Sequence, residues 1–429
     1  MNPRVIPILA GTDTGSYPRT DTGTAYGRPQ PSYNQELAEV GPGTPMGELM
    51  RRYWHPIGLL ADANDTPRKL RVLGEDLILF RDKTGRPGLV YPHCAHRGAS
   101  LYYGKVEERG IRCCYHGWLF DVQGHCVEQP CEPEAGAQSC SKVRQPWYPV
   151  QALYGLIWAY MGPPGRKPVL PRYECLETLE AGEFIEADDS SIGGGGPQII
   201  PCNWLQHYDN LVDPFHVVIL HSSFSGTQFV EQMALMPEVT WETGDISVRT
   251  ISRRKLPEGK LLHRISEAGL PTLRVIPSPR IGRYGTVESL GWVLPIDDHS
   301  FRIFVVGRVR EKGELVKMRS RLNGKLWEDL TEQEHRAFPG DYEAQVSQGS
   351  VAHHSEEFLA MSDMGIVKLR RLLKKQVDAV REGKDPAGVS FDPAAPPVHF
   401  EAGNFLIDEK DSAESSHASQ PLPITVNPP

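Results

Sequence analysis

The chain has 429 residues, enough for two or three domains of about 100 to 150 residues each. Its 39% hydrophobic and 23% charged residues describe an ordinary soluble protein, and no apolar run approaches the ~18 residues that a membrane helix needs. A net charge of −8 argues against a general nucleic-acid or anionic-membrane surface. The run VIPILAG after Arg4 is short and contains Pro7, so no signal peptide is expected. Eight cysteines without an export signal point to reduced thiols and metal ligands before a disulfide framework, and hence to the cytoplasm.

In chain order, residues 1–43 are rich in Gly, Pro, Ser, Thr and Tyr and read as an arm that takes its order from something else. Short apolar runs punctuated by turns follow: LRVL, LILF, the turn DKTGRPG, LVY and later LYGLIWAYMG, which predict a small β domain over residues 44–162. Then PCNWLQHYDNLVDPFHVVILHSSF starts as a helix, and SLGWVLPIDDHSFRIFVVGRV returns to strands. Ile366, Leu369, Leu372, Leu373 and Val377 repeat at helical spacing. A larger α+β domain over residues 163–405 is expected, with a polar tail at 406–429 and no internal repeat.

Two Cys/His pairs stand out. Cys94 and His96 form C-x-H, Cys113 and His116 form C-x2-H, and sixteen residues separate the pairs. Thiolates with imidazoles suit zinc or iron, and mixed zinc sites are the commoner outcome among proteins at large. The first pair is too tight for an ordinary zinc finger, however, and the pairs close on HRG and HGWLF. A 2Fe–2S centre with two thiolates on one iron and two imidazoles on the other needs one Cys and one His from each of two loops. The stretches C-x-H-R-G and C-x-Y-H-G-W resemble the cluster motif of the Rieske proteins. The resemblance implies that Cys94 and Cys113 hold one iron and His96 and His116 the other, with Cys114 left over as a buried thiol.

A Rieske electron carrier would need little beyond the small domain, yet over 250 residues follow the cluster motif. Asp209, Asp213, His216 and His221 lie in one run, spaced D-x3-D-x2-H-x4-H. On a regular helix 209, 213 and 216 share a face, whereas five residues advance the helix by about 500° and leave His221 roughly 140° from His216. Pro214 removes a donor and crowds the carbonyl of Asn210, so a kink, bulge or end is expected there, which could bring the second imidazole round. Alone, such a run is more often a satisfied polar cluster. Behind a Rieske motif it resembles the Fe(II) site of the Rieske non-heme iron oxygenase α subunits, two histidines and one carboxylate. The likeness runs from RRYWHPIG through SDMGIVKLRRLL and implies His216 and His221 as ligands, with Asp213, and Asp209 beside it, as catalytic carboxylates.

The third ligand must come from downstream, from among Asp341, Glu343, Glu356, Glu357 and Asp363. FPGDYEAQVSQG resembles the ligand-aspartate segment of the phthalate-dioxygenase-like branch, which selects Asp341, with Glu343 next and a plain helix-capping role as the alternative for Asp341. The resemblance further implies one Rieske 2Fe–2S cluster and one mononuclear Fe(II), and oxidation with dioxygen and NAD(P)H. A separate flavin-containing reductase, with or without a ferredoxin, would feed the electrons, since no G-x-G-x-x-G unit is present. It implies a homotrimer or stacked pair of trimers, in which Asp213 bridges its own His216 and a neighbour's His116. Asn210, Val217 and Phe338 flank the ligands as pocket-wall candidates. GWVLPIDDHSF also resembles that branch and favours an aromatic carboxylate or aryl ether, for which an Arg anchor is wanted. Nothing in spacing selects among Arg249, Arg253, Arg254, Arg280 and Arg283. The other readings are dealkylation of a non-aromatic amine or ether, and a Rieske electron carrier with a structural second domain.

Overall fold

The computed structural model describes residues 29–133, 139–189, 196–225, 228–278, 281, 284–317, 322 and 324–409. The expectations for residues 1–28, for the tail beyond 409 and for Arg280 and Arg283 fall outside them.

Three small antiparallel sheets build the first part. One pairs Trp54–Leu59 with Leu156–Tyr160 and Val150–Leu153; a second runs Arg68–Val72, Glu75–Arg81, Pro87–Val90, Trp147–Tyr148; the third runs Lys105–Glu107, Gly110–Arg112, Leu119–Phe120, Cys126–Glu128. Ile78, Phe80 and Val90 of the second sheet and Ile111 and Phe120 of the third bury one core between them, and Cys94 and Cys113 belong to that core. The hairpin closed by the pair Val72 and Glu75 has Leu73 and Gly74 at φ 48° and 81°, the backbone of a tight primed turn. Leu73 is not a residue that favours positive φ. It is held by burial and by hydrogen bonds from its N–H to the Pro295 carbonyl and from the Gly74 N–H to that of Ile296, which fasten this hairpin to the large sheet.

That large sheet is antiparallel, ordered Phe184–Asp188, Ser300–Val309, Ser289–Asp297, Leu273–Val275, Lys260–Gly269, Ser247–Leu256, Glu238–Thr243, with Gly403–Asp408 also on Lys260–Gly269. The last strand carries the fold to Asp408, past the boundary expected at 405, because Leu261 to Ile265 present it with a full ladder of partners. The 18-residue helix Met364–Arg381 buries Leu369, Leu372, Leu373 and Val377, the stripe its periodicity predicts. The end of the N-terminal arm leans on the start of the helix Trp204–Asn210, where the Ala38 carbonyl accepts from Asn203 Nδ2 (2.9 Å) and Trp204 Nε1 (3.3 Å).

The segment after Cys202 departs from a continuous helix. Asn203 caps a helix Trp204–Asn210, Pro214 interrupts, a short turn Phe215–Val218 follows, and Ile219–Phe224 is a π-helix. Asp209 and Asp213 therefore do not share a helical face, a correction to the regular-helix expectation. No helix among the described residues is long and apolar enough to cross a membrane.

Candidate metal centres

The two cysteine–histidine loops are built alike. In the first, the Cys94 N–H donates to the Ala99 carbonyl and the Gly98 N–H to the Cys94 carbonyl, both 2.9 Å; in the second, Cys113 donates to Trp118 (2.8 Å) and Gly117 to Cys113 (3.1 Å). Each loop thus turns on a glycine four residues after its cysteine, at φ 76° in Gly98 and 71° in Gly117, a backbone other residues adopt at a cost. The glycines of HRG and HGW are the hinge of the motif. Gln145 ties the first loop from outside, accepting from the Ala95 N–H (2.8 Å) and donating to the Tyr91 and His93 carbonyls. Arg112 ties the second through the Gly117 carbonyl while pairing with Glu107 and Glu128. Neither brace is legible in the sequence, since each acts on loop backbone.

The thiols of Cys94 and Cys113 point into the core, and burial pushes the Cys94 thiol up to about 11, with the neighbouring Cys113 adding to the rise. His96 lies flat on Trp118 (4.2 Å between centroids, 4°) and edge-on to His116 at 4.6 Å. His96 Nδ1 is buried with no hydrogen-bond partner. Two inward thiols and two paired imidazoles, one with an orphaned ring nitrogen, suit a cluster of two irons. A single tetrahedral zinc would draw all four donors to one point, and among the described residues these four do not form such a group. Cys114 is exposed, correcting the expectation of a buried thiol: in the turn after Gly110–Arg112, Cys113 turns inward and its neighbour outward. All eight cysteines are unpaired.

In the second centre, the nearest donor atoms of His216, His221 and Asp341 all lie within 4.8 Å of one another. The π-helix makes this possible. Hydrogen bonding from i to i+5 widens the turn and brings residues five apart to one side, so the His216 and His221 rings stand 5.4 Å apart. Asp341 arrives as the first residue of the helix Asp341–Val346, capped by Gly340, and so is not the cap itself. Its Oδ1 lies 3.3 Å from His221 Nε2, 3.6 Å from His216 Nε2 and 3.3 Å from Asn210 Nδ2. Burial opposes ionisation of Asp341, but the histidines outweigh it and hold the carboxyl far below the usual range.

Each outward ring nitrogen faces a polar side chain. Asp213 Oδ2 sits 3.5 Å from His216 Nδ1, and Asp213 Oδ1 accepts from the Phe215 N–H at 2.9 Å. His221 Nδ1 donates to Gln228 Oε1 at 2.8 Å. His221 therefore aims its Nε2 lone pair at the common point, the arrangement that metal-binding histidines adopt, while His216 Nδ1 faces Asp213 without a formed hydrogen bond. Gln228 lies in irregular chain, and no spacing or motif marks it. Buried His207 stacks on Phe301 and meets Gln345, and burial lowers its pKa to about 3, so it stays neutral.

Asp209 does not join this group. It pairs with Arg370 (2.5 and 3.1 Å), which also binds Glu357, tying the Trp204–Asn210 helix to Met364–Arg381. Burial pushes Asp209 up to about 6 against the pull of Arg370. The other acids are engaged elsewhere: Glu343 accepts from Trp327, His335 and the Gly340 N–H, Glu356 faces His353, and Asp363 accepts from the Ala360 N–H. Of the wall candidates, Asn210 reaches the site through Asp341, Val217 is half-buried on the broken helix, and Phe338 ends the helix Glu332–Ala337 at the surface.

A thiol–imidazole module is thus joined to a sheet domain whose helical segments bring two histidines and an aspartate together, an architecture suited to an oxidoreductase. Residues 53–149 match the family model of the Rieske [2Fe-2S] domain. Over 414 residues the chain is 50% identical to the phenoxybenzoate dioxygenase subunit alpha of Ectopseudomonas oleovorans, covering 94% of this chain and 97% of that protein. It is 30% identical to the phthalate 4,5-dioxygenase oxygenase subunit of Pseudomonas putida, over 83% of this chain and 88% of the relative. The crystal structure of dicamba monooxygenase bound to dicamba shares the fold, with a TM-score of 0.57 and 17% identity over 78% of this chain and 99% of that one. The chain belongs to the Rieske non-heme iron oxygenases, as an oxygenase α subunit of the phthalate-dioxygenase-like branch.

Proposed function

We propose that this oxygenase subunit hydroxylates an aromatic carboxylate or aryl ether, with His216, His221 and Asp341 holding Fe(II) and Cys94, His96, Cys113 and His116 holding the 2Fe–2S cluster. The observation that carries the reading is the convergence of the two histidines and Asp341 in a chain that also has a Rieske domain. The phenoxybenzoate relative, whose named substrate is both acid and aryl ether, supports the substrate class. When bound, the cluster supplies electrons and the ferrous ion supplies reactivity toward dioxygen. The chain's own part is positional. Asp213 and Gln228 fix the two imidazole tautomers, and Asn210 orients Asp341. Hydroxylation consumes one dioxygen, one NAD(P)H and one proton per product: one oxygen enters a C–H bond and the other leaves as water, whereas ring dihydroxylation keeps both.

A flavin-containing NAD(P)H reductase, with or without a ferredoxin, supplies electrons in the cytoplasm. The subunit works as a homotrimer or a pair of trimers, with Asp213 linking its own His216 to a neighbour's His116. In support, the Asp213 side chain keeps 28% exposure, and Tyr115, beside His116, is 57% exposed. The test is composition and product together. Anaerobically purified protein should hold about three irons and two labile sulfides per chain, and oxidise members of a panel of benzoates, phthalates and aryl ethers with NADH and reductase. One zinc without sulfide would overturn the reading. Asp213→Asn should leave the assembly and metals intact and slow cluster reoxidation; reoxidation at the normal rate would remove the bridging role.

A further inference from the structure

Arginines buried in a protein interior are almost always paired, because an unpaired guanidinium keeps its desolvation cost. The molecule follows this rule. Arg51 donates to the Val40, Gly47 and Leu73 carbonyls and to Glu75; Arg264 to Asn404 and the Pro277 and Ser278 carbonyls; Arg308 to Glu183. Arg274, half-buried in the strand Leu273–Val275, departs from it: its Nε is buried without a partner, as are those of Arg249 and Arg302, but these two place another nitrogen on a carboxylate, whereas no acceptor among the described residues is hydrogen-bonded to Arg274.

Its position is equally specific. Arg274 pairs in register with Gly291, which in turn faces Val305. Residues 301, 303 and 305 alternate onto one face of their strand, so Phe301, on which His207 of the iron-site helix stacks, lies on the face that Arg274 shares. The side chain runs over the bare backbone of Gly291, where an added Cβ would stand 3.3 Å from Nη1 and 3.5 Å from Cδ. Its charge is felt by His207, and that of Asp341 is felt by it. Burial lowers its pKa to about 10, with Asp341 pulling the other way, so it is cationic at neutral pH. Asp341 is not its partner: Oδ1 is turned to His216, His221 and Asn210, and no ion pair or hydrogen bond joins Asp341 to Arg274.

We propose that Arg274 is the anchor for the substrate's carboxylate, a planar fork on the sheet floor beside the iron site that receives the acid group and sets which ring carbon faces His216, His221 and Asp341. The inference rests on the aromatic-acid reading above. A planar guanidinium with free donors suits bidentate pairing with a carboxylate, and a glycine opposite leaves it room. The described arginines that spacing left open are engaged or placed elsewhere. Arg249 pairs with Glu242 and Glu401, Arg253 shares Arg249's face of its strand, and Arg254 is used by Leu235 and Ser252.

The experiment is calorimetric titration of the holoenzyme with 3-phenoxybenzoate and with its neutral carboxamide, alongside steady-state turnover. Charge-assisted pairing of this kind predicts that Arg274→Gln weakens binding of the acid roughly 100-fold and raises its KM alike, with kcat within a few fold. Carboxamide binding should stay as in wild type. Arg274→Lys should fall between, and Gly291→Ala, which crowds Nη1, should weaken the acid a few fold. Should Arg274→Gln not fold, those two variants carry the same acid-against-amide comparison. Equal losses for acid and amide, no loss for the acid, or no aryl carboxylate bound by wild type would overturn the proposal. Arg274-dependent binding without oxidation would leave the anchor standing and remove the hydroxylation reading, whereas oxidation indifferent to Arg274 would do the reverse.

Discussion

The two candidate metal-binding regions reach their geometry by opposite routes. Each cluster loop is local: a cysteine, a histidine two or three residues later and a glycine at positive φ close on themselves through two backbone hydrogen bonds. The second centre is not local. Asp341 reaches His221 across 120 residues, and the histidines meet only because the helix breaks at Pro214 and widens into a π-turn. The first design tolerates change elsewhere in the chain and little within its own few residues. The second depends on helix packing far from the ligands, such as the Asp209–Arg370 pair that holds its first helix in place.

The sharpest way to separate the two regions is to remove one ligand from each. Cys113→Ser should abolish the cluster's visible absorption and all turnover. His221→Ala or Asp341→Ala should abolish turnover as completely while the visible spectrum persists. A spectrum lost in Asp341→Ala would mean that the regions are not independent. A smaller effect tests the braces. Gln228→Leu removes the acceptor that orients His221, and loss of such a partner costs about 10- to 100-fold in metal affinity. Titration of the metal-free protein with ferrous ion checks it, and unchanged affinity would make Gln228 a bystander.

This difference in route also explains what can be read from the sequence. The proposed cluster ligands are legible because turn chemistry ties Cys94 to His96 and Cys113 to His116 within a few residues. The histidine pair is legible as a pattern, but regular-helix geometry leaves His221 on the wrong side; only a π-turn, which has no residue signature here, brings it round. Spacing misplaces Asp209 because it ignores where a helix stops. It also misplaces Cys114, since inward and outward positions in an irregular turn cannot be counted off residue by residue. Gln228 and Arg274 are invisible in the sequence, because their roles come from tertiary neighbours rather than from any local pattern.

Within the cluster region the two hinge glycines are alike in backbone and unlike in surroundings. At Gly98 a Cβ would meet nothing within 4 Å, whereas at Gly117 it would stand 2.8 Å from Pro130 Cγ. Gly98→Ala should cost about 1 to 2 kcal/mol for the left-handed backbone alone, and Gly117→Ala about 3 kcal/mol once crowding is added. The measurement is the temperature at which the visible band bleaches. Equal shifts would show that Pro130 yields freely.

A last effect concerns the seam between the regions, where the strand Trp54–Leu59 pairs with Leu156–Tyr160 and belongs to the same core as Trp292 of the large sheet. His55 is buried there and its Nε2 donates to the Met50 carbonyl at 2.8 Å. Burial lowers its pKa to about 4, with Arg51 adding to the fall and the Met50 carbonyl opposing it. An unfolded histidine titrates near 6.5, so between these values the unfolded chain binds the extra proton. The contribution of His55 is therefore complete above about pH 6.5, falls as the pH drops toward about 4, and is constant below. A shift of this size corresponds to about 3 kcal/mol over the window. His55→Gln keeps a donor for Met50 but cannot titrate, so the fall in melting temperature from pH 6.5 to 4.5 should be shallower than in wild type, whatever the variant's stability at neutral pH. Since the seam serves both regions, cluster bleaching and loss of far-ultraviolet dichroism should move together as the pH falls. Midpoints that separate in acid would show that the cluster region unfolds apart from the sheet, and that His55 guards only one side of the seam.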